Sequence, residues 1–301
     1  SGRLTARAKR LLSRFRMYEH RYEYMGGAGI TVKPDHAHTP HGTDGTQSLP
    51  PMGDAPVTTG TLLGGKVVYR QFPTGNRTGL EPVLMAAFVP ARAGEVVLEG
   101  GCGAGAGLLC LTNRVPRLAG VGLEQDPATA SLARHNLALN GRHDLRVRVA
   151  AIPALPDDPL LSGPGIRRID HAFANPPWHG HDSSPSPHMQ RDLARRLPAG
   201  MLAAWVGALS DQLRHHGTLT LALPASLLSA GIAAMERARL GRIRIFPFWP
   251  RQGHAARIVL VQGRVNSRAG SEMLPGLILH EGNGEFTPAA RAVLEDGVAL
   301  P

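Results

Sequence analysis

Cysteine is nearly absent. Of 301 residues only Cys102 and Cys110 are cysteines, and both sit in one glycine-rich apolar segment. That is no spaced framework, so a disulfide-stapled secreted scaffold is excluded and both thiols read as small buried hydrophobes. Long apolar runs are missing too: nothing approaches the roughly 18 residues that a membrane span needs, and the chain reads as a soluble, cytoplasmic protein. Acidic residues are in deficit, with 23 Asp and Glu against 33 Lys and Arg, a formal +10 that favours a polyanionic partner or an acidic surface. Hydrophobic side chains are plentiful. At 43% of the chain they can fill the core of one large domain or of one domain with appendages.

Composition divides the chain into three parts. In residues 1–25, Leu4, Ala8, Leu11, Leu12, Phe15 and Tyr18 recur at helical spacing and arginines fill the other face. Such a basic amphipathic helix suits RNA, an anionic membrane surface or a targeting segment, or it is a solvated tail. Residues 26–58 are dense in Gly, Pro, Thr and His without periodicity and read as a linker. Its His36, His38 and His41 lack the accompanying ligands of a metal site, so no metal is expected. Residues 59–301 read as the functional domain.

Within that domain strands and helices alternate. The stretches "EVVLEG" (95–100), "GVGLEQD" (120–126), "LRVRVAAI" (145–152) and "IDHAFAN" (169–175) are strand patterns, with helices after the first two. The second helix opens at Pro127 and closes at Asn140-Gly141. A helix over 199–216, the strand "TLTLAL" (218–223), a helix over 225–239 and the strands "GRIRIFPF" and "ARIVLVQG" follow. This order predicts an α/β, Rossmann-like fold: a mostly parallel seven-stranded sheet with one antiparallel strand and helices on both faces.

Two motifs carry chemistry. Glu99-x-Gly101-x-Gly103-x-Gly105 lets the backbone turn tightly against a ligand lying across the strand ends, and Glu124, about 20 residues on, ends a strand where a carboxylate can accept from two ribose hydroxyls. S-adenosylmethionine and NAD both carry such a ribose, and the loop also satisfies the dinucleotide pattern. Asn175-Pro176-Pro177-Trp178 separates them. The exocyclic amine of adenine is a poor nucleophile because its lone pair is delocalised. If the Asn175 oxygen and the Pro176 carbonyl each accept one amine N–H, a pyramidal nitrogen is favoured, with its lone pair directed at an electrophilic methyl. Proline fixes φ and has no N–H, so the corner stays rigid. Trp178 offers a face on which an extruded base can stack.

These residues resemble class I S-adenosylmethionine-dependent methyltransferases of the amino-methylating group marked by Asn/Asp-Pro-Pro-aromatic. The segments "RQFPTGNRTGLEPVLMAAFVP" (70–90), "FPFWPRQGHAARIVLVQ" (246–262) and "LILHEGNGEFTPAARAVL" (277–294) are similar to parts of the valine-tRNA adenine-37 N6-methyltransferase family, with Gln71, Gly75 and Arg77 matching its first segment. The resemblance implies transfer of a methyl group from S-adenosyl-L-methionine to an adenine N6 in tRNA, by a monomer. Asn175, Pro176, Pro177 and Trp178 then form the catalytic corner. Glu99, Gly101, Cys102, Gly103, Gly105, Glu124, Gln125 and Arg77 hold the cofactor, and His179, Arg251 and Arg257 meet the RNA. Five positions depart from the family pattern: Asn76 stands for an aromatic, Glu81-Pro82 for Asp-Ala, Trp178 for Tyr, and Ala151 near where an Asp usually meets the cofactor's adenine.

Other functions fit some of the residues. A protein glutamine side chain presents a similar planar amine, and a catalytically silent RNA-binding protein could keep the fold. The basic tail and the arginines around the last two strands favour RNA over glutamine. DNA adenine methylation lacks a target-recognition domain, and a dehydrogenase has no use for the Asn-Pro-Pro-Trp corner.

Overall fold

The computed structural model describes residues 56–74, 77–155, 169–177 and 200–301. The N-terminal helix, most of the linker, Gly75, Asn76, Trp178 and His179 lie outside them. Strand β1 (Thr58–Leu62) turns through Leu63–Gly65 into β2 (Val67–Gln71), and the two pair antiparallel as a separate hairpin. Helix α1 (Glu81–Phe88) follows, buried from Val83 to Phe88.

Next come β3 (Val96–Gly100), α2 (Ala106–Arg114), β4 (Ala119–Glu124), α3 (Pro127–Leu139), β5 (Leu145–Val149) and β6 (Ile169–Ala174). Both ends of α3 are written in the sequence. Asp126 caps it by accepting from the Thr129 N–H at 2.8 Å, and Pro127 takes the first helical position, where no N–H is needed. Gly141, at φ 65°, closes it while the Arg142 N–H returns to the Leu137 carbonyl at 2.9 Å.

The second half holds α4 (Met201–Asp211), β7 (Leu213–Pro224), α5 (Leu228–Arg237), β8 (Leu240–Trp249), β9 (Ile258–Val265), β10 (Glu272–Met273), β11 (Leu277–Ile278) and α6 (Pro288–Leu294). The sheet runs β10-β8-β9-β7-β6-β3-β4-β5, with β11 also on β8. Of its seven long strands only β9 is antiparallel to its neighbours β7 and β8. Buried side chains form a core on each face. Helices α1, α2, α3 and α6 cover one, and α4 and α5 cover the other.

Two expectations are corrected. Among the described residues the sheet has nine strands rather than seven, because β10 and β11 add two-residue segments along β8, too short to leave an alternating pattern. The helix expected over 199–216 ends at Asp211. Leu213 continues the helical stripe of Leu202, Val206 and Leu209, which is what misleads. In the fold it pairs with Ile169 of β6, and β7 starts there.

Candidate active site

Register places the two motifs side by side. Gly100, the last residue of β3, pairs with Leu123 of β4 on one side and Ala174 of β6 on the other. The next residue of each strand is therefore Glu124, Gly101 and Asn175, in one row along the C-terminal edge. Adjacent strands are about 4.8 Å apart, so Glu124 and Asn175 stand about 10 Å apart across the glycine loop. Chain order also reverses here, since β4 and β5 extend to one side of β3 and β6 and β7 to the other. Crevices at such switch points hold ligands in open α/β sheets. Asn175 is half-buried, Pro176 buried and Pro177 exposed.

Backbone geometry shapes the loop between them. Gly101, Gly103 and Gly105 have φ of 65°, 53° and 88°, conformations that L side chains rarely adopt. A Cβ on Gly103 would meet nothing within 4 Å, so the loop presents bare backbone to open space. Underneath, Trp205 of α4 closes on the loop, with its Cη2 3.0 Å from where a Cβ of Gly101 would stand.

Carboxylates hold the loop by accepting backbone N–H groups. Glu124 takes the Gly103 N–H on Oε2 and the Asp126 N–H on Oε1, both at 3.0 Å. A carboxylate has about four lone-pair sites, so acceptor capacity remains for hydroxyl groups. Glu99 faces away from the crevice. Its side chain is 3% exposed, and its Oε2 accepts the Leu108 N–H of α2 at 2.9 Å. Burial pushes its carboxyl well above the ordinary range. A Cβ on Gly107 would stand 2.2 Å from Glu99 Oε1, so that glycine makes room for the acid. The Cys102 thiol is buried against Gly122, and its pKa is pushed up, by burial above all. Such a thiol is inert. Gln125 is exposed directly after Glu124.

Asn136 of α3, fully buried, ties the loop to the hairpin. Its Nδ2 donates to the Ala104 carbonyl at 2.9 Å and the Arg70 carbonyl at 2.8 Å, and its Oδ1 accepts the Arg70 N–H at 3.0 Å. Asn140, one helical turn on, makes the same two-way contact with Val68 at 3.0 and 2.7 Å. Two carboxamides thus stand in for a neighbouring strand along β2. Beyond β2, Gln71 Oε1 accepts the Thr78 N–H at 3.2 Å and Tyr69 Oη bonds Thr78 Oγ1 at 2.7 Å. These contacts fix the chain next to the exposed Arg77.

Of the other expected site residues, Trp178 and His179 lie outside the described residues and the two arginines stand on the rim. Arg251 and Arg257 are exposed in the β8–β9 connection, which lies on the same edge because Ile258 pairs with both Phe248 and Pro224. The Arg257 carbonyl accepts the Ala225 N–H at 2.8 Å. Arg251 approaches Gly284 of the C-terminal segment, near His280, whose pKa is lowered first by burial and in smaller part by that arginine. Ala151 is exposed beyond β5, and the following Ile152 reaches over Gly100.

Sequence reading passed over Asn136, Asn140 and Trp205. The signal for the first two is a pair of asparagines spaced four apart on an otherwise apolar helix face. For Trp205 there is none, since an aromatic in an apolar helix reads as core.

No family model matches the chain. A tRNA1(Val) (adenine(37)-N6)-methyltransferase from Porphyromonas gingivalis is 31% identical over 180 residues, 57% of this chain and 69% of that protein. One from Bacteroides thetaiotaomicron is 25% identical over 218 residues, 71% of this chain and 89% of that protein. Among solved structures, that of a predicted O-methyltransferase from Agrobacterium tumefaciens superposes with a TM-score of 0.56 at 24% identity, covering 73% of this chain and 97% of its own. The expected Rossmann-like methyltransferase fold is borne out, and its methyl donor is S-adenosyl-L-methionine. By the extent and level of these matches, the chain belongs to the tRNA1(Val) (adenine(37)-N6)-methyltransferase family.

Proposed function

We propose that the protein transfers a methyl group from S-adenosyl-L-methionine to the N6 amine of an adenine in tRNA, next to the anticodon of valine tRNA as in the names of its relatives. The observation that carries this reading is the row Glu124, Gly101, Asn175 at the switch point, which sets the amine-binding corner one strand from the cofactor loop.

The residues present fit the cofactor. Bare backbone at Gly103 leaves the crevice open, and Glu124 keeps acceptor capacity for a ribose. Gln125 lies exposed directly after it, Arg77 is exposed past the end of β2, and Glu99 and Cys102 brace the loop from within. Bound there, S-adenosyl-L-methionine supplies an electrophilic methyl group. The chain supplies the rest. Asn175 Oδ1 and the Pro176 carbonyl accept the two amine N–H bonds, Pro177 stiffens the corner, and Trp178 stacks on the base. No base is needed beforehand, because the nitrogen loses its proton after gaining the methyl. His179, Arg251 and Arg257 contact RNA phosphates along the rim.

The test incubates the protein and its Asn175→Ala variant with isotope-labelled cofactor and unmodified tRNA, then identifies labelled nucleosides by mass spectrometry. Labelled N6-methyladenosine from the wild type is expected, with turnover at least about 100-fold lower in the variant and cofactor binding intact. Absence of label in every nucleoside would sink the reading.

A further inference from the structure

A second basic surface lies at the opposite side of the sheet from Arg251 and Arg257. Among the described residues strand β5 is the last strand on that side and pairs only with β4. Between it and α3 opens a cleft of about 270 Å³ whose lining includes Arg134, Arg142, His143, Arg146 and Arg148 and, among the described residues, no carboxylate. Leu137 and Val147 form part of its floor. Asp144, the acid of the adjoining turn, opens instead on a neighbouring hollow with Thr112 and Arg117.

Charge on an edge strand commonly serves to block strand pairing. Alternating charges pointing to solvent would do that. Here Leu145 and Val147 pack on the α3 side, so Arg146 and Arg148 point to the other face of β5 and meet Arg134 and Arg142 around the open strand edge, where all four line one hollow. Arg134 is anchored with its Nε donating to the Val147 carbonyl at 3.1 Å, which leaves the rest of its guanidinium at the cleft. Arg142 Nε is buried and makes no hydrogen bond among the described residues, an arrangement that costs free energy unless an acceptor arrives. Arg146 and Arg148 are two apart on β5 and so share a face, with Arg148 next to the strand end that pairs with Glu124. The row of cations therefore runs from the cofactor side of the crevice down the flank of the domain. A cleft this open, with cations splayed along it, suits a chain of phosphates better than a single small anion.

We propose that this β5-edge cleft is a docking surface for the phosphodiester backbone of the RNA substrate, gripping phosphates at a distance from the base being methylated. The inference rests on the reading that RNA is the substrate. Arg142 and Arg146 are positioning residues that act on affinity rather than on the chemical step.

The experiment measures binding of unmodified tRNA to wild type and to Arg142→Gln/Arg146→Gln over a series of KCl concentrations, with methylation kinetics on the same samples. Loss of two phosphate contacts is expected to weaken binding about tenfold or more and to make the slope of log K against log[KCl] shallower by about two. KM for tRNA rises while kcat and cofactor binding hold. The single variant Arg146→Gln, at an exposed position, shows about half the change in slope. The variant Arg237→Gln/Arg268→Gln removes the same charge at two exposed positions elsewhere and is expected to bind within about twofold of wild type. Equal weakening in both double variants, or an unchanged slope in the first, overturns the cleft. Failure of wild type to methylate tRNA overturns the substrate reading itself, whereas methylation of tRNA with equal KM by wild type and the cleft variant overturns the cleft alone.

Discussion

The two edges of the central sheet are made by the same strands and solve opposite problems. At the N-terminal edge side chains bond to side chains. His171 meets Glu95 at 2.9 Å and Thr218 at 2.8 Å, Arg214 bonds Asp170 and lies 3.7 Å from Glu95, and Asp170 also accepts the Val96 N–H at 2.8 Å. At the C-terminal edge Glu124, Glu99 and Asn136 bond instead to backbone, at Gly103, Leu108, Ala104 and Arg70. Mutual side-chain pairing closes one edge and spends its polar groups on each other. Bonding to backbone fixes a loop while its outer surface stays open to a ligand. The comparison teaches that one edge spends its polar groups on stability while the other holds a loop and keeps its outer surface open.

Substitutions can break that division. Asp170→Ala leaves the buried Val96 N–H without its acceptor and Arg214 without its closest partner, and is expected to lower unfolding free energy by about 3 kcal/mol. Urea unfolding checks it, and cofactor affinity measured below the transition should be unchanged. Gly101→Ala tests the other edge. With φ at 65° and Trp205 at 3.0 Å from the new Cβ, it should cost about 1–2 kcal/mol of backbone strain and weaken cofactor binding about tenfold as the loop shifts, by calorimetric titration. Glu124→Gln keeps the shape and removes the charge. It should weaken cofactor binding by roughly tenfold, since charge-assisted hydrogen bonds are about twice as strong as neutral ones, and lower unfolding free energy by about 1 kcal/mol, because an amide NH2 cannot accept one of the two N–H groups, of Gly103 and Asp126, that the carboxylate holds.

The smallest expected effect is with pH. His171 is held below its ordinary value, burial outweighing the neighbouring Glu95 carboxylate. Its folded form therefore resists a proton that the unfolded chain accepts near pH 6.5. Stability is fully present above that pH and declines as pH falls toward the lower folded value. His171→Gln should flatten the decline of melting temperature between about pH 6.5 and 5. An equal decline in both proteins would move the acid sensitivity elsewhere.

Much of this architecture is legible in the sequence because the strands are buried on both faces and read as short apolar runs. The glycine loop, Glu124 and the Asn175 corner stand at strand ends, where punctuation by Gly and Pro is strongest. What escapes is non-local. The hairpin of β1 and β2 depends on Asn136 and Asn140, far along the chain, and nothing in "VVYRQ" names its partner. Leu213 obeys the period of α4 and is claimed by Ile169 across the sheet. Glu99 reads as a loop ligand by its place in the motif, yet Gly107, two residues past the last patterned glycine, is what lets its carboxyl turn inward.

The carboxamides on α3 also bear on how the chain is made. Strand β2 finds its edge partners 66 and 72 residues downstream. During synthesis, which proceeds at about 5–20 residues per second, the hairpin leaves the ribosome with its outer edge exposed and waits several seconds for residues 136–140 to emerge. The first part of the domain to be born is thus among the last to be secured, and docking of the hairpin cannot run ahead of the glycine loop, because Asn136 completes both.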